Sequence, residues 1–316
     1  MYTAAYDNRK SLPHYFLPFL ANTTRYCDLN LISPMRQQVL NGASFESKYS
    51  VNLVSPRSLP QFQTVTDLFD KVFVNYSTNT ASFEKACFQR WFALNAATTH
   101  LTDDEYVCLL DTDFLIGMSP SDVLTACQTL ADVKRTQYVA EWVGKVPEAV
   151  GPEITIMTKG FLHSFCKYLL TTYYSPEMQP RLLEEYYDVI GGGNPGGICD
   201  MRAFAAFYEL NQDCCFSLQE LKDPLMIRNF NSFVKQQTQK NEPWKLCFQN
   251  GVQTLRIADD ETQLLGIHFQ GSAKNLMHFV HADVGDMTRE ACEEFLEVNR
   301  PLLKRWVDAV KKRVRA

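Results

Sequence analysis

The chain has 316 residues, 46% of them hydrophobic, which is enough apolar surface to bury a large core and excludes a disordered or collagen-like chain. With 31 Lys and Arg against 36 Asp and Glu the formal charge is −5, so no overall positive field exists to hold polyanions, and nucleic acid is not expected among the partners. The ten cysteines sit mostly inside apolar runs without the paired spacing of a zinc site, and no stretch of ~18 apolar residues long enough to cross a membrane follows the amino terminus or occurs elsewhere; a soluble, cytoplasmic chain is expected.

Residues 14–26 (HYFLPFLANTTRY) have an amphipathic pattern and lead into the short apolar run Asp28–Ile32. Residues 83–97 (FEKACFQRWFALNAA) do the same before Tyr106–Leu110. This alternation predicts an α/β fold, a sheet covered by helices. Ser119-Pro120-Ser121-Asp122 predicts a helix start, with serine as cap and proline in the first turn, continuing over Val123–Leu130. Further strands are expected at Gln137–Trp142, Ile154–Thr158 and Leu264–Phe269, and helices at Phe161–Tyr173 and Arg202–Leu210. Five of the 14 glycines fall within residues 191–197, which predicts a turn-rich loop. No Lys-Ser/Thr pair follows it, so it is not a Walker-type phosphate loop. Residues 300–316 carry seven Lys and Arg against one Asp, with Leu302, Leu303, Trp306, Val307, Val310 and Val314 at helical spacing. A helix capped by Thr288 and this basic stretch form an expected extension, either docked with its basic side solvated or lying on an anionic membrane.

Two clusters carry chemistry. In Val107-Cys108-Leu109-Leu110-Asp111-Thr112-Asp113-Phe114-Leu115-Ile116, two acids interrupt an apolar run, where an unpartnered charge is costly to bury. At a strand end, alternate acids project to one side and can converge on a divalent cation; they can equally be a solvated pair. The second cluster is Leu264-Leu265-Gly266-Ile267-His268-Phe269-Gln270-Gly271-Ser272-Ala273-Lys274. Histidine can complete a mixed oxygen and nitrogen shell, glycine lets backbone approach a phosphate, and lysine supplies a charge for its oxygens. Taken singly, His268 also suits a hydrogen-bonded core position and Lys274 a solvated one.

Together, Asp111-Thr112-Asp113 and the later His268-x-x-Gly271-x-x-Lys274 resemble the metal-dependent GT-A glycosyltransferases, and among them the glycogenin and bacterial lipooligosaccharide galactosyltransferase group. The resemblance implies a GT-A-like domain over residues 1–287, a Rossmann-like mixed central sheet flanked by helices, followed by the basic helical extension over 288–316. It implies Asp111, Asp113 and His268 as ligands of Mn²⁺ or Mg²⁺, with Asp111, Gly271 and Lys274 also toward the diphosphate of a nucleotide sugar, a UDP-sugar in that group. Tyr2-Thr3-Ala4-Ala5-Tyr6-Asp7-Asn8 is similar to the group's first strand and loop, which implies Ala4, Tyr6 and Asn8 near the uridine. By the same likeness Arg90 lies near the donor sugar and diphosphate, and Asp200 near the reacting sugar. Alternatively, Arg90 is an ordinary helix ion pair and Asp200 a helix cap. Asn275-Leu276 stand where the group has Pro-Trp after the lysine.

The implied activity is transfer of a sugar to a hydroxyl of a glycan, lipid-linked or other acceptor, with retention of configuration, and with Asp200, Lys274 and Arg90 serving the reaction. A silent nucleotide-sugar-binding protein of the same fold is one rival. A haloacid-dehalogenase-like phosphatase is another, although those enzymes carry their Asp-x-Asp close to the amino terminus.

Overall fold

The computed structural model describes residues 1–8, 15–34, 50–143, 149–191, 197–221, 225–227, 229–240, 244–249, 252–257, 260–277 and 287–288. In chain order the helices are α1 (Phe16–Thr23), α2 (Pro60–Val72), α3 (Ala81–Ala97), α4 (Pro120–Leu130), α5 (Lys159–Tyr174), α6 (Met178–Gly191), α7 (Asp200–Glu209) and α8 (Phe230–Lys240). The strands are β1 (Tyr2–Tyr6), β2 (Leu29–Ile32), β3 (Val51–Val54), β4 (Tyr106–Leu110), β5 (Phe114–Ile116), β6 (Tyr138–Val143), β7 (Ala149–Thr158), β8 (Cys215–Ser217), β9 (Leu225–Ile227), β10 (Trp244–Gln249), β11 (Val252–Ile257), β12 (Asp260–His268) and β13 (Met287–Thr288). The expected basic extension falls on residues outside those described, apart from Thr288, which lies in β13. Residues 192–196 of the glycine loop are likewise outside them.

The chain forms two compact units, the first comprising residues 1–12, 26–112 and 119–221. Its sheet has the order β3-β2-β1-β4-β7-β6-β8. β1 lies parallel to both β2 and β4, with Ala5 opposite Leu110, so the chain leaves β1 toward Asp7 and β4 toward Asp111 at the same edge of the sheet. That edge, beyond the carboxyl ends of parallel strands, is where open α/β sheets bind ligands. β7 then pairs antiparallel with β4, which makes the sheet mixed.

Local chemistry sets the helix starts. Ser119 Oγ accepts the Asp122 N–H at 3.1 Å and Pro120 occupies the first turn of α4, as the sequence predicts. Thr158 caps α5 in the same way, accepting from the Phe161 N–H at 3.3 Å. Lys159 reaches across to the Asn95 carbonyl at 2.8 Å, satisfying one of the last carbonyls of α3. Trp91, on α3, is fully buried against Phe204 of α7 with ring centroids 4.4 Å apart, and this contact locks the helix that carries Arg90 to the helix that begins at Asp200.

The second unit comprises residues 13–25, 113–118 and 222–316. Its sheet has the order β13-β10-β11-β12-β5, with β9 also beside β12. β5 and β12 run antiparallel with Phe114 opposite His268, a register that sets Asp113 beside the end of β12. Phe269 N–H donates to the Asp113 carbonyl at 2.9 Å and extends the pairing by one step. Asn22 of α1 clamps β5 from outside: its amide donates to the Ile116 carbonyl at 3.0 Å and accepts the Ile116 N–H at 2.8 Å.

Candidate active site

The two acids of the Asp-x-Asp sequence do not lie within a strand. β4 ends at Leu110 and β5 starts at Phe114, so Asp111, Thr112 and Asp113 form the connection between them. The cause is a change of pairing partner: the Asp111 N–H still donates to the Glu153 carbonyl of the first sheet at 3.0 Å, while the Asp113 carbonyl already accepts from Phe269 in the second. Alternation of apolar and acidic residues reads the same for a strand end and for a short link between two apolar strands.

In the first unit, Asp111 joins a buried charge cluster. Arg90 Nη1 donates to Asp111 Oδ1 at 2.6 Å, and Arg90 Nε donates to Asp200 Oδ2 at 2.9 Å, with Nη2 on the same oxygen. Trp91 Nε1 donates to that oxygen as well, at 3.0 Å. Burial works against the charge on Arg90, but Asp200 and Asp111 overcome it and hold the guanidinium protonated more firmly than usual. Arg90 is therefore not a solvated helix pair, and Asp200, in the first turn of α7, spends its carboxylate on Arg90 and Trp91 rather than on a helix cap.

In the second unit, Asp113 is held by an imidazole and an ammonium. Its Oδ1 lies 3.3 Å from His268 Nε2, and its Oδ2 lies 2.7 Å from Lys274 Nζ. Burial alone would raise the Asp113 pKa, yet His268 and Lys274 together lower it to about 2, so the carboxylate is ionised at neutral pH. His268 Nδ1 meets Gln270 Nε2 at 3.2 Å, and the Lys274 ammonium sits 5.0 Å from the centre of the Tyr15 ring. Gly271 has φ +58°, a conformation that favours glycine, and it opens the 3₁₀ turn Gly271–Leu276 that carries Lys274.

The sequence-predicted residues thus gather in two sets, Arg90, Asp111 and Asp200 in one unit and Asp113, His268 and Lys274 in the other; Thr112 joins them in the chain. Of the residues implied near a uridine, Ala4 is fully buried in β1, Tyr6 is half-buried at that strand's end, and Asn8 is exposed just beyond it. Trp91, Tyr15, Gln270 and Asn229 were not legible as site residues. Trp91 lies on the helix of Arg90 in a position that reads equally as core, and Tyr15, Gln270 and Asn229 carry no chemical spacing of their own. Only the tertiary structure brings Trp91 to Asp200, Tyr15 to Lys274, Gln270 to His268 and Asn229 to Gln270.

These elements define the GT-A glycosyltransferase fold, a mixed α/β sheet flanked by helices. Among solved structures the chain is similar to mouse xyloside xylosyltransferase 1 in its apo form, at 8% sequence identity and a TM-score of 0.50, over 76% of this chain and 91% of that one. It is also similar to the galactosyltransferase LgtC in complex with donor and acceptor sugar analogues, at 9% identity and a TM-score of 0.42, over 74% of this chain and 78% of that one. In sequence, no family model and no curated protein matches.

Proposed function

We propose that this chain is a glycosyltransferase that takes a sugar from a nucleotide sugar, a UDP-sugar by the resemblance of its motifs, and passes it with retention to a hydroxyl of a glycan or lipid-linked acceptor. The observation that carries the reading is Asp113 between His268 and Lys274, separated in the chain from Asp111 by Thr112 alone. By the same resemblance Asp111, Asp113 and His268 would supply two carboxylates and one imidazole, a set that suits Mn²⁺ or Mg²⁺, and the ionised state of Asp113 fits that role. A bound cation supplies positive charge for the departing diphosphate. Lys274 adds an ammonium for the same oxygens, where stabilisation grows as the bond to the sugar breaks. Arg90 holds Asp111 and Asp200 in fixed positions, and Asp200 orients or stabilises the sugar. The basic segment 300–316 brings the chain to an anionic membrane, where a lipid-linked acceptor resides; cosedimentation with anionic vesicles tests that part.

The central experiment incubates the full chain with a panel of nucleotide sugars, with and without Mn²⁺, and follows release of the nucleotide. Metal-dependent release of UDP is expected. Binding without release identifies a silent binding protein, and release of inorganic phosphate from phosphoesters identifies a phosphatase.

A further inference from the structure

Gln270 follows His268 by two residues and has no part in the reading above. We infer that Gln270, anchored by Asn229, is a positioning residue that fixes which ring nitrogen of His268 carries the proton. Its bearing on metal binding rests on the proposed role of His268 as a ligand.

The relay begins at a group whose direction is not in doubt. The backbone N–H of Ser232 donates to Asn229 Oδ1 at 3.0 Å at the start of α8. A peptide N–H can only donate, so this contact orients the Asn229 amide, whose Nδ2 then donates to Gln270 Oε1 at 2.5 Å. With its oxygen engaged, Gln270 presents Nε2 to His268 Nδ1 at 3.2 Å. An amide nitrogen is a donor only; Nδ1 therefore accepts, and the neutral imidazole carries its proton on Nε2, the nitrogen 3.3 Å from Asp113. Asn231 Nδ2 donates to the Gln270 carbonyl at 3.1 Å, tying the backbone of this residue to α8 as well.

This arrangement has a chemical consequence. A ligating nitrogen must present a lone pair, and Nε2 does so only when the proton sits on Nδ1. Nδ1–H needs an acceptor where Gln270 offers a donor. A carboxylate at position 270 would accept from both Asn229 Nδ2 and Nδ1–H; a leucine would do neither.

The test is imidazole ¹H–¹⁵N spectroscopy on the metal-free full chain at a pH where His268 is neutral, with His268→Gln assigning the signals. Wild type is expected to show the Nε2–H form, Gln270→Glu the Nδ1–H form, and Gln270→Leu a mixture. A dominant Nδ1–H form in wild type, or the same tautomer in all three proteins, overturns the inference. Mn²⁺ titration of the same samples should show Gln270→Glu binding about tenfold more tightly than wild type, the size typical of groups that orient a ligand. If the tautomers follow expectation and none of the proteins binds Mn²⁺, the relay stands and the metal role of His268 falls.

Discussion

Arg90 and Asp200 meet through a single carboxylate oxygen: Arg90 Nε and Nη2 and Trp91 Nε1 all donate to Asp200 Oδ2, while Arg90 Nη1 turns to Asp111. Asp200 is 2% exposed, so removing the guanidinium leaves a buried charge with the indole N–H. Arg90→Met is expected to destabilise the protein by about 3–5 kcal/mol, the cost of breaking a buried pair from one side. Arg90→Lys should recover part of it, because an ammonium lacks the planar fork that reaches both acids. Urea unfolding measures both, and a methionine variant within about 0.5 kcal/mol of wild type would show that the cluster contributes no stability.

Asp113→Asn tests the other half of the site. The amide keeps the size of the side chain but removes the charge shared by His268 and Lys274. The protein is expected to fold, while the Mn²⁺-dependent part of its UDP affinity, measured by calorimetry, falls by more than about tenfold. An unchanged metal dependence would remove Asp113 from the ligand set.

The legible part of this site consists of residues whose spacing is itself chemical: two acids in an apolar run, and a histidine, glycine and lysine at intervals of three. The strands that lead into these residues were legible too, since β4, which ends just before Asp111, was expected at its observed bounds, and β12, which ends on His268, was expected to run one residue further to Phe269. What the sequence does not contain is pairing across distance. Arg90 and Asp200 are 110 residues apart, and Asn229 and Gln270 are 41 apart, with no local pattern linking either pair. The division of the chain into two units was hidden for the same reason. Asp113–Met118 reads as a continuation of the strand before it, but its hydrogen bonds go to β12.

Gly266 lies opposite Ile116 in the β5–β12 pair that brings Asp113 to His268, with the Phe114 ring against its Cα. A Cβ there would lie 2.2 Å from Phe114 Cζ and 2.7 Å from the Leu115 carbonyl oxygen, so backbone must shift. Gly266→Ala is expected to cost about 1–3 kcal/mol, the usual penalty for overpacking. Because the shift falls on the strand pair itself, metal affinity should fall with stability. Thermal melts and a Mn²⁺ titration on one sample check the coupling; lost stability with unaltered metal affinity would separate the strand pair from the site.

Glu84 gives a pH-dependent expectation with a definite sign. It is 1% exposed, and its Oε1 accepts from Ser77 Oγ at 2.7 Å and Asn79 Nδ2 at 2.6 Å, while Oε2 is buried without a hydrogen-bond partner among the described residues. Burial raises its pKa above the ordinary 4.5, against the lowering by those two bonds. The folded state thus binds this proton more tightly than the unfolded state. Ionisation opposes folding, a cost absent below the unfolded value and fully present above the folded one. Glu84→Gln keeps an acceptor at Oε1 and cannot ionise. Its Tm minus that of wild type should therefore rise between pH 4.5 and pH 7. A difference that stays constant over this range would show that Glu84 is not held in a raised-pKa state.

Lys274 carries the prediction with two opposite signs. Its ammonium lies 2.7 Å from Asp113 Oδ2 and 5.0 Å from the centre of the Tyr15 ring. A carboxylate neutralised by an ammonium is a poorer ligand for a cation, so the lysine competes for Asp113 in the absence of nucleotide. Lys274→Met keeps the aliphatic length and removes the charge. Mn²⁺ alone should bind the variant about tenfold more tightly, well within the ~6 kcal/mol that two unit charges at such a distance exert under intermediate screening. UDP in the presence of Mn²⁺ should bind more weakly, because the diphosphate loses its ammonium. In turnover, kcat/KM should fall by about 10²–10³, as for other donors that stabilise charge growing in a transition state. Mn²⁺ titration followed by electron paramagnetic resonance, UDP calorimetry and initial rates measure the three effects. If both affinities fall together, the lysine serves to hold Asp113 in place; if the UDP affinity and rates stay at wild-type level, it has no contact with the donor.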